Sequence, residues 1–212
     1  MFNRRFVEGK ERIAREHTLG AGHVGHDRLP PGQHLVRPDS FPILDLGVRP
    51  KFDPATWTFD AFGEVERPLR CTWEEFLTLP TVTVTRDFHC VTTWSKYDVT
   101  WTGVSFRWLA EHVGVKPAAQ HVIAHCADLG YTTNVPLADM MAADVLLAYQ
   151  LEGEPLPHEH GGPLRTLVPH LYAWKSAKFL RRLEFSAVDK PGFWEVRGYH
   201  NYGDPWREQR FD

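Results

Sequence analysis

Cys90 has a side chain and a position that suit chemistry. It follows the alternating run of residues 81–85, which predicts a β-strand, and so it lies where that strand ends. A thiolate is both a nucleophile and a ligand for soft metals. A catalytic thiol needs a histidine base, and the adjacent His89 would point to the opposite side of a continuing strand. Metal ligation is therefore one interpretation of Cys90, and a small buried apolar side chain is the other.

A second segment combines glycines, cations and a hydroxyl. Residues 161–163 read Gly-Gly-Pro and predict a tight turn whose backbone can approach a ligand closely. Arg165 begins the strand that follows, where its planar guanidinium could hold an oxyanion through two parallel hydrogen bonds. The run 175–178, Lys-Ser-Ala-Lys, adds charge and a hydroxyl for a phosphate-sized group. The glycine framework of a P-loop is absent, and a solvated turn with a surface lysine pair is the alternative interpretation.

Together, the lone thiol and the cationic segment fit a soft metal held by an anionic organic cofactor. Copper and iron–sulfur centres need several protein sulfurs or a close set of histidine and methionine ligands. A molybdenum centre needs one protein sulfur, because a pterin dithiolene supplies the other two. His158 and His160 could instead bind zinc in a structural domain, but the sequence has no third ligand at a familiar spacing. At the end of a predicted strand, His125, Cys126 and Asp128 could contact a ligand or belong to a plain core strand.

The composition limits the class of protein. Of the 212 residues, 42% are hydrophobic and 24% charged, which is typical of one soluble globular domain or at most two small ones. The formal net charge of −3 disfavours a broad nucleic-acid-binding surface. Three distant cysteines without a CxxC pair predict neither a disulfide framework nor a zinc ribbon, and they fit a reducing compartment. No apolar stretch follows Arg4 and Arg5, and no segment is long enough to span a bilayer, so we expect a cytoplasmic location.

The sequence pattern divides the chain into an arm and one compact domain. Residues 1–40 predict an extended N-terminal arm whose only helical stretch is 8–16, and residues 41–212 predict the domain. Within the domain we expect a loop from Cys90 to Gly103. Because strands and short helices interleave irregularly, we expect an α+β fold rather than a doubly wound sheet. The pattern predicts strands over 57–61, 81–88, 121–126, 145–149, 164–168 and 179–185, and helices over 72–79, 104–113 and 137–143.

Several separate segments, in this order, resemble the molybdopterin-binding oxidoreductase family. That family includes sulfite oxidases, plant-type nitrate reductases and the catalytic subunits of bacterial methionine sulfoxide reductases. The resemblance extends from about Phe41 to the end of the chain. It implies the sulfite-oxidase-type molybdopterin-binding fold, which is α+β with mixed β-sheets and short peripheral helices in a single domain. The matching segments are residues 87–95, 101–104, 159–169, 172–178 and 198–206.

The resemblance also implies roles for individual residues. Cys90 matches the cysteine that ligates molybdenum, which makes it both the metal ligand and the catalytic residue. Cys126 matches a cofactor contact that is usually a hydroxyl residue in the reductase branch of the family. His89 flanks the metal ligand and would touch the pterin. The complete set of expected contacts to the pterin and its phosphate is His89, Cys126, His160, Arg165, Lys175, Ser176, Ala177 and Lys178.

The sequence departs from sulfite oxidases next to the metal ligand. Sulfite oxidases carry an arginine shortly after this cysteine, whereas residues 92–95 here read Thr-Thr-Trp-Ser and resemble the sulfoxide reductase branch.

Haem and Ig-like dimerisation domains are absent, so we expect a stand-alone catalytic domain with a separate electron-transfer partner. The resemblance implies one molybdenum–molybdopterin cofactor and two-electron oxygen-atom transfer on a small S- or N-oxide or oxyanion. A non-catalytic molybdopterin-binding or carrier module is the alternative.

Overall fold

The protein was analysed as a computed structural model that describes residues 28–212, together with Arg5, Glu8, Gly9 and Arg12. Most of the predicted arm 1–40, including most of its helical stretch 8–16, lies outside the described residues. In the described part of the chain, no helix is long and apolar enough to cross a membrane.

Residues 28–212 form eleven strands and three α-helices, joined by turns and three short 3₁₀ helices. The helices are α1 (Trp73–Leu77), α2 (Phe106–Val113) and α3 (Leu137–Met140), and the 3₁₀ turns are His158–His160, Ala173–Lys175 and Glu195–Arg197. The strands are β1 (His34–Leu35), β2 (Thr58–Gly63), β3 (Leu69–Thr72), β4 (Thr81–His89), β5 (Trp94–Ser105), β6 (His121–Cys126), β7 (Thr132–Pro136), β8 (Leu146–Leu151), β9 (Glu154–Pro155), β10 (Arg165–Leu167) and β11 (Leu180–Ser186).

The strands form two mixed sheets. The first sheet has the order β1-β5-β8-β10, with β4 also paired to β5 and β9 paired to β8. The second sheet has the order β3-β2-β11-β6-β7. The pairs β1–β5 and β2–β11 are parallel and the other pairs are antiparallel. Buried residues of both sheets belong to one continuous apolar core. The predicted single-domain α+β fold with mixed sheets and short helices is confirmed.

The predicted loop from Cys90 to Gly103 was wrong, because the chain returns as a strand at Trp94. Strands β4 and β5 form a long antiparallel pair, and threonine hydroxyls bond across it between Thr83 and Thr102 at 2.8 Å. Gly103 is required at the crossing with β8, since a Cβ there would lie 2.1 Å from the Leu147 carbonyl oxygen. The loop that carries Cys90 therefore spans only residues 90–93.

Other differences concern short elements. The strands β3 and β7 were not predicted, although both complete the second sheet. Helix α2 begins at Phe106 rather than at residue 104, because Ser105 is its N-cap and accepts a hydrogen bond from the Trp108 backbone N–H. Helix α1 begins with a capping box, in which the Thr72 side chain accepts from the Glu75 backbone N–H and the Glu75 side chain accepts from the Thr72 backbone N–H.

Candidate active site

The Cys90 loop connects the ends of β4 and β5 at the edge of a cavity. Its conformation is closed by hydrogen bonds from Cys90 N to Trp94 O at 2.9 Å and from Thr93 N to Cys90 O at 3.0 Å. Thr93 has a positive φ of 71°, an uncommon conformation for a β-branched residue. Cys90 is 6% exposed, and its side chain lines the cavity. The tight loop thus presents one thiol to an internal space.

Segments from both ends of the described chain fix this loop. Gln33 donates its side-chain N–H to Cys90 O at 3.1 Å, and the His34 backbone N–H donates to Thr93 O at 2.8 Å. From the other end, the buried Arg210 guanidinium donates to Val91 O at 2.8 Å. The position of Cys90 is therefore set by three remote partners as well as by the loop itself.

The protonation of Cys90 reflects competing effects. Burial raises the pKa of the thiol. The hydroxyl and backbone N–H of Thr92 oppose this shift, as do the positive charges of Lys178 and Arg210. The Thr92 Oγ1 atom lies 3.1 Å from Cys90 Sγ. Hydrogen-bond donors and cations near the sulfur favour the thiolate, which is the form that binds a metal.

The cavity opens to solvent, and its empty space together with that of its mouth is about 850 Å³. Much of its wall is aromatic, and its polar groups lie at Asp45, on the Cys90 loop, after β6 and along the segment 160–178. The aromatic wall residues are Phe41, Phe88, Trp94, Tyr131, Trp174, Trp194 and Tyr199. The thiol and the cationic segment, far apart in sequence, thus face one space.

Arg165 lines this cavity as a buried cation. Its guanidinium donates to His160 O and to Ser176 O, both at 2.8 Å, and lies 5.1 Å from the Trp101 ring. No carboxylate within 4 Å of Arg165 is found among the described residues, so its charge is offset by backbone carbonyls and by the faces of the Trp101 and Phe88 rings. Burial lowers the pKa of Arg165 to about 10, which leaves it protonated at neutral pH. A buried cation with this environment suits an anionic ligand.

The glycine turn allows Lys178 to reach the same cavity. The Lys178 ammonium donates a hydrogen bond to the Glu159 backbone carbonyl at 2.7 Å. Gly161 has a φ of 104°, and a Cβ at this position would lie 2.7 Å from the Lys178 side chain. Ser176 and Ala177 complete this part of the wall, and the Ser176 hydroxyl accepts the Val168 backbone N–H at 2.9 Å. The glycine is needed for a close approach between turn and lysine.

His160 is a neutral imidazole in the wall. Its ring lies 4.4 Å from that of Phe41, centroid to centroid. Burial, together with the charges of Lys178 and Arg165, lowers the pKa of His160 to about 4. It can therefore donate one hydrogen bond and accept another at neutral pH.

Three expected contacts lie outside the cavity wall: His89, Cys126 and Lys175. The Nδ1 atom of His89 lies 2.8 Å from the Ser95 hydroxyl, and burial lowers the pKa of His89 to about 4. The Lys175 ammonium is fully buried in an ion pair with Glu195 at 2.6 Å and donates to Asn134 O at 2.8 Å. Its side chain is therefore directed into the core. Burial raises the pKa of Cys126 well above its usual value, which keeps it a thiol.

Asp128, noted at the end of its strand but not assigned to the site, lines the cavity. It is 4% exposed, and its Oδ1 atom is buried without a hydrogen-bond partner in the described structure. Burial raises the pKa of Asp128 to about 7. An unsatisfied carboxyl of this kind fits a ligand with N–H donors, such as the amino-pyrimidinone ring of a pterin. The sequence signal was an acidic residue two positions after a buried strand.

Within residues 28–212, no group of three or more His, Cys, Asp or Glu side chains could hold a metal ion by itself. The His158 ring bonds instead to Pro50 O at 2.7 Å. A zinc site built on His158 and His160 therefore finds no further protein ligands there. A metal bound at Cys90 would need most of its ligands from a cofactor.

Comparison with known families agrees with this geometry. Residues 46–194 match the model of the oxidoreductase molybdopterin binding domain, about 70% of the chain. The chain therefore belongs to this family of molybdopterin-dependent oxidoreductases.

Individual relatives support the same assignment. The chain is 47% identical to the uncharacterized oxidoreductase YuiH of Bacillus subtilis, over 87% of this chain and 92% of that protein. It is 28% identical to the protein-methionine-sulfoxide reductase catalytic subunit MsrP of Campylobacter jejuni, over 74% of this chain and 58% of that subunit. Among solved structures, the sulfane dehydrogenase SoxCD of Paracoccus pantotrophus matches with a TM-score of 0.62 and 25% identity, covering 71% of this chain and 42% of that one.

Proposed function

We propose that this oxidoreductase uses one molybdenum–molybdopterin cofactor for two-electron oxygen-atom transfer, with Cys90 as the protein ligand of the metal. The observation that carries the proposal is the convergence of the Cys90 thiol and the unpaired Arg165 cation on one cavity of about 850 Å³. When bound, the molybdenum centre supplies the two-electron redox chemistry. The protein supplies binding, orientation and exclusion of water.

The cationic segment would hold the phosphate of the cofactor. Arg165 and Lys178 provide two positive charges that backbone carbonyls orient, and Ser176 and Ala177 lie between them in sequence on the same wall. The neutral His160 and the Asp128 carboxyl would bind the donors and acceptors of the pterin ring. The residues present fit such a group: Arg165 is a buried cation without a carboxylate partner in the described structure, and Asp128 Oδ1 is a buried acceptor without a donor. An anionic ligand that carries N–H groups supplies both.

The environment of Cys90 favours a small neutral substrate, an S- or N-oxide, over an oxyanion. Thr92 and Trp94 occupy the neighbourhood in which a sulfite oxidase carries its arginine, and Trp94 contributes an aromatic wall. The cations of the cavity are committed to the phosphate in this proposal. The resemblance to the methionine sulfoxide reductase subunit is consistent with a substrate of the sulfoxide type.

In this proposal, electrons are exchanged with a separate carrier. A cytoplasmic location remains a proposal that rests on cysteine usage; the three cysteines are free and buried.

The metal content of protein purified from cells that make the cofactor is the direct test. We expect about one molybdenum and one pterin per chain, and turnover of sulfoxides or N-oxides with a reduced dye as electron donor. Negligible molybdenum would contradict the proposal. Stoichiometric molybdenum without turnover on sulfoxides, N-oxides, nitrate, chlorate or sulfite would instead indicate the carrier module.

Cys90→Ser tests the metal ligand. We expect turnover to fall to background while the melting temperature of the metal-free protein changes little, because a hydroxyl replaces a thiol of similar size. Cys71→Ser is the matched control, since Cys71 is equally buried but does not line the cavity. Full turnover in Cys90→Ser would remove Cys90 from the mechanism.

A further inference from the structure

Thr92 is in direct contact with the expected metal ligand. Its Oγ1 atom lies 3.1 Å from Cys90 Sγ, a hydrogen-bond distance for sulfur, and both side chains line the cavity. A metal-bound thiolate carries no proton. In that state the hydrogen atom can come only from the Thr92 hydroxyl, so Thr92 is the donor.

The loop geometry holds this hydroxyl in place. The Val91 carbonyl before Thr92 accepts from Arg210 at 2.8 Å. The Thr93 backbone after it is bonded through its N–H to Cys90 O at 3.0 Å and through its carbonyl to His34 N at 2.8 Å. Thr92 therefore lies between Val91 and Thr93, whose backbone groups Val91 O, Thr93 N and Thr93 O are engaged in hydrogen bonds. These bonds fix the backbone that places the Thr92 hydroxyl beside the sulfur.

We propose that Thr92 is a positioning residue whose hydrogen bond to Cys90 Sγ raises the reduction potential of the bound metal. This inference rests on the proposed function. Hydrogen bonds to a ligand sulfur withdraw electron density from it, which weakens its donation to the metal and favours the reduced state. The direction of the effect follows: loss of the hydroxyl lowers the potential and disfavours reduction.

The test compares Thr92→Val, which keeps the branched shape and removes the hydroxyl, with Thr92→Ser, which keeps the hydroxyl. Thr85→Val is the matched control, because it removes a threonine hydroxyl bonded to Thr100 on the same strand pair, outside the cavity wall. The potential of the metal is measured by redox titration of the loaded protein, followed by electron paramagnetic resonance. We expect Thr92→Val to shift the one-electron equilibrium about tenfold toward the oxidised metal, about 59 mV. Thr92→Ser and Thr85→Val should match the wild type.

A second measurement uses metal-free protein and does not depend on loading. Iodoacetamide should alkylate Cys90 several-fold more slowly in Thr92→Val than in Thr92→Ser or Thr85→Val, with Cys90→Ser giving the background. The slower reaction is expected because the thiolate loses its donor.

The outcomes separate the two proposals. Wild-type protein without molybdenum contradicts the proposed function, and the alkylation rates then still test the hydrogen bond. Normal molybdenum in Thr92→Val with an unchanged potential overturns the role of Thr92 and leaves the proposed function intact. Equal alkylation rates in the valine and serine variants would also overturn it.

Discussion

Two buried cations, ten residues apart in the chain, have opposite environments. Lys175 is paired with Glu195 at 2.6 Å and bonded to Asn134, and its side chain is directed into the core. Among the described residues, Arg165 donates only to backbone carbonyls and faces two aromatic rings, without a carboxylate, and its side chain lines the cavity. A buried cation that is paired with a carboxylate is part of the folded core. A buried cation without a carboxylate carries a positive charge that a ligand can neutralise. Burial and charge alone would not have separated these two roles.

Lys175→Met should have the largest effect on stability. It leaves the Glu195 carboxylate buried and without its cation, which costs about 3–5 kcal/mol. We expect the free energy of unfolding of the metal-free protein to fall by this amount in urea titrations. The double variant with Glu195→Leu should recover part of the loss. A loss below 1 kcal/mol in Lys175→Met would contradict the assignment of Lys175 to the fold.

Asp128→Asn extends the comparison to a buried carboxyl whose Oδ1 atom has no hydrogen-bond partner in the described structure. The folded protein raises the pKa of Asp128 to about 7 from the usual value near 3.8, so the folded state holds its proton more tightly than the unfolded chain. The stability of the metal-free protein therefore falls as the pH rises from about 4 to about 7. Asparagine cannot ionise. The free energy of unfolding of the variant, relative to that of the wild type, should therefore rise across this pH window by roughly 2–4 kcal/mol. Thermal unfolding at several pH values checks this, with the exposed Asp39→Asn as the control. A difference in stability between variant and wild type that does not change with pH would contradict the raised pKa of Asp128.

Arg165→Met should have the smallest effect on stability and a clear effect on the cofactor. We expect the pterin content to fall at least about tenfold, about 1.4 kcal/mol of binding free energy. The unfolding free energy of the metal-free protein should change much less than in Lys175→Met, because no carboxylate is left unpaired. Arg165→Lys keeps the charge without the planar fork and should be intermediate. If Arg165→Met keeps its cofactor and unfolds as easily as Lys175→Met, the two cations have the same role.

The sequence predicted which residues belong to the site better than it predicted the directions of their side chains. Cys90, Arg165, Ser176 and Lys178 converge on one cavity, as their motifs indicated. Lys175 lies next to Ser176 in the same motif, yet the 3₁₀ turn Ala173–Lys175 directs its side chain toward Glu195. Side-chain direction at such a turn depends on tertiary contacts that residue spacing does not encode.

The errors in the fold have a similar origin. Residues 94–105 form the longest strand, but Asp98 and Gly103 within them are typical of turns. The close approach of β8 makes the glycine necessary, and Asp98 adopts a positive φ of 53°. Both features are local irregularities that strand pairing tolerates, so sequence pattern alone favoured a loop.

The hydrogen bond from Arg210 to the Val91 carbonyl has a practical consequence. Chain termini are ordinarily the parts of a domain that accept tags and trimming. Here the Arg210 guanidinium supports the peptide next to Cys90, the proposed metal ligand. Deleting residues 210–212 would leave the strands of both sheets in place and yet loosen the Cys90 loop.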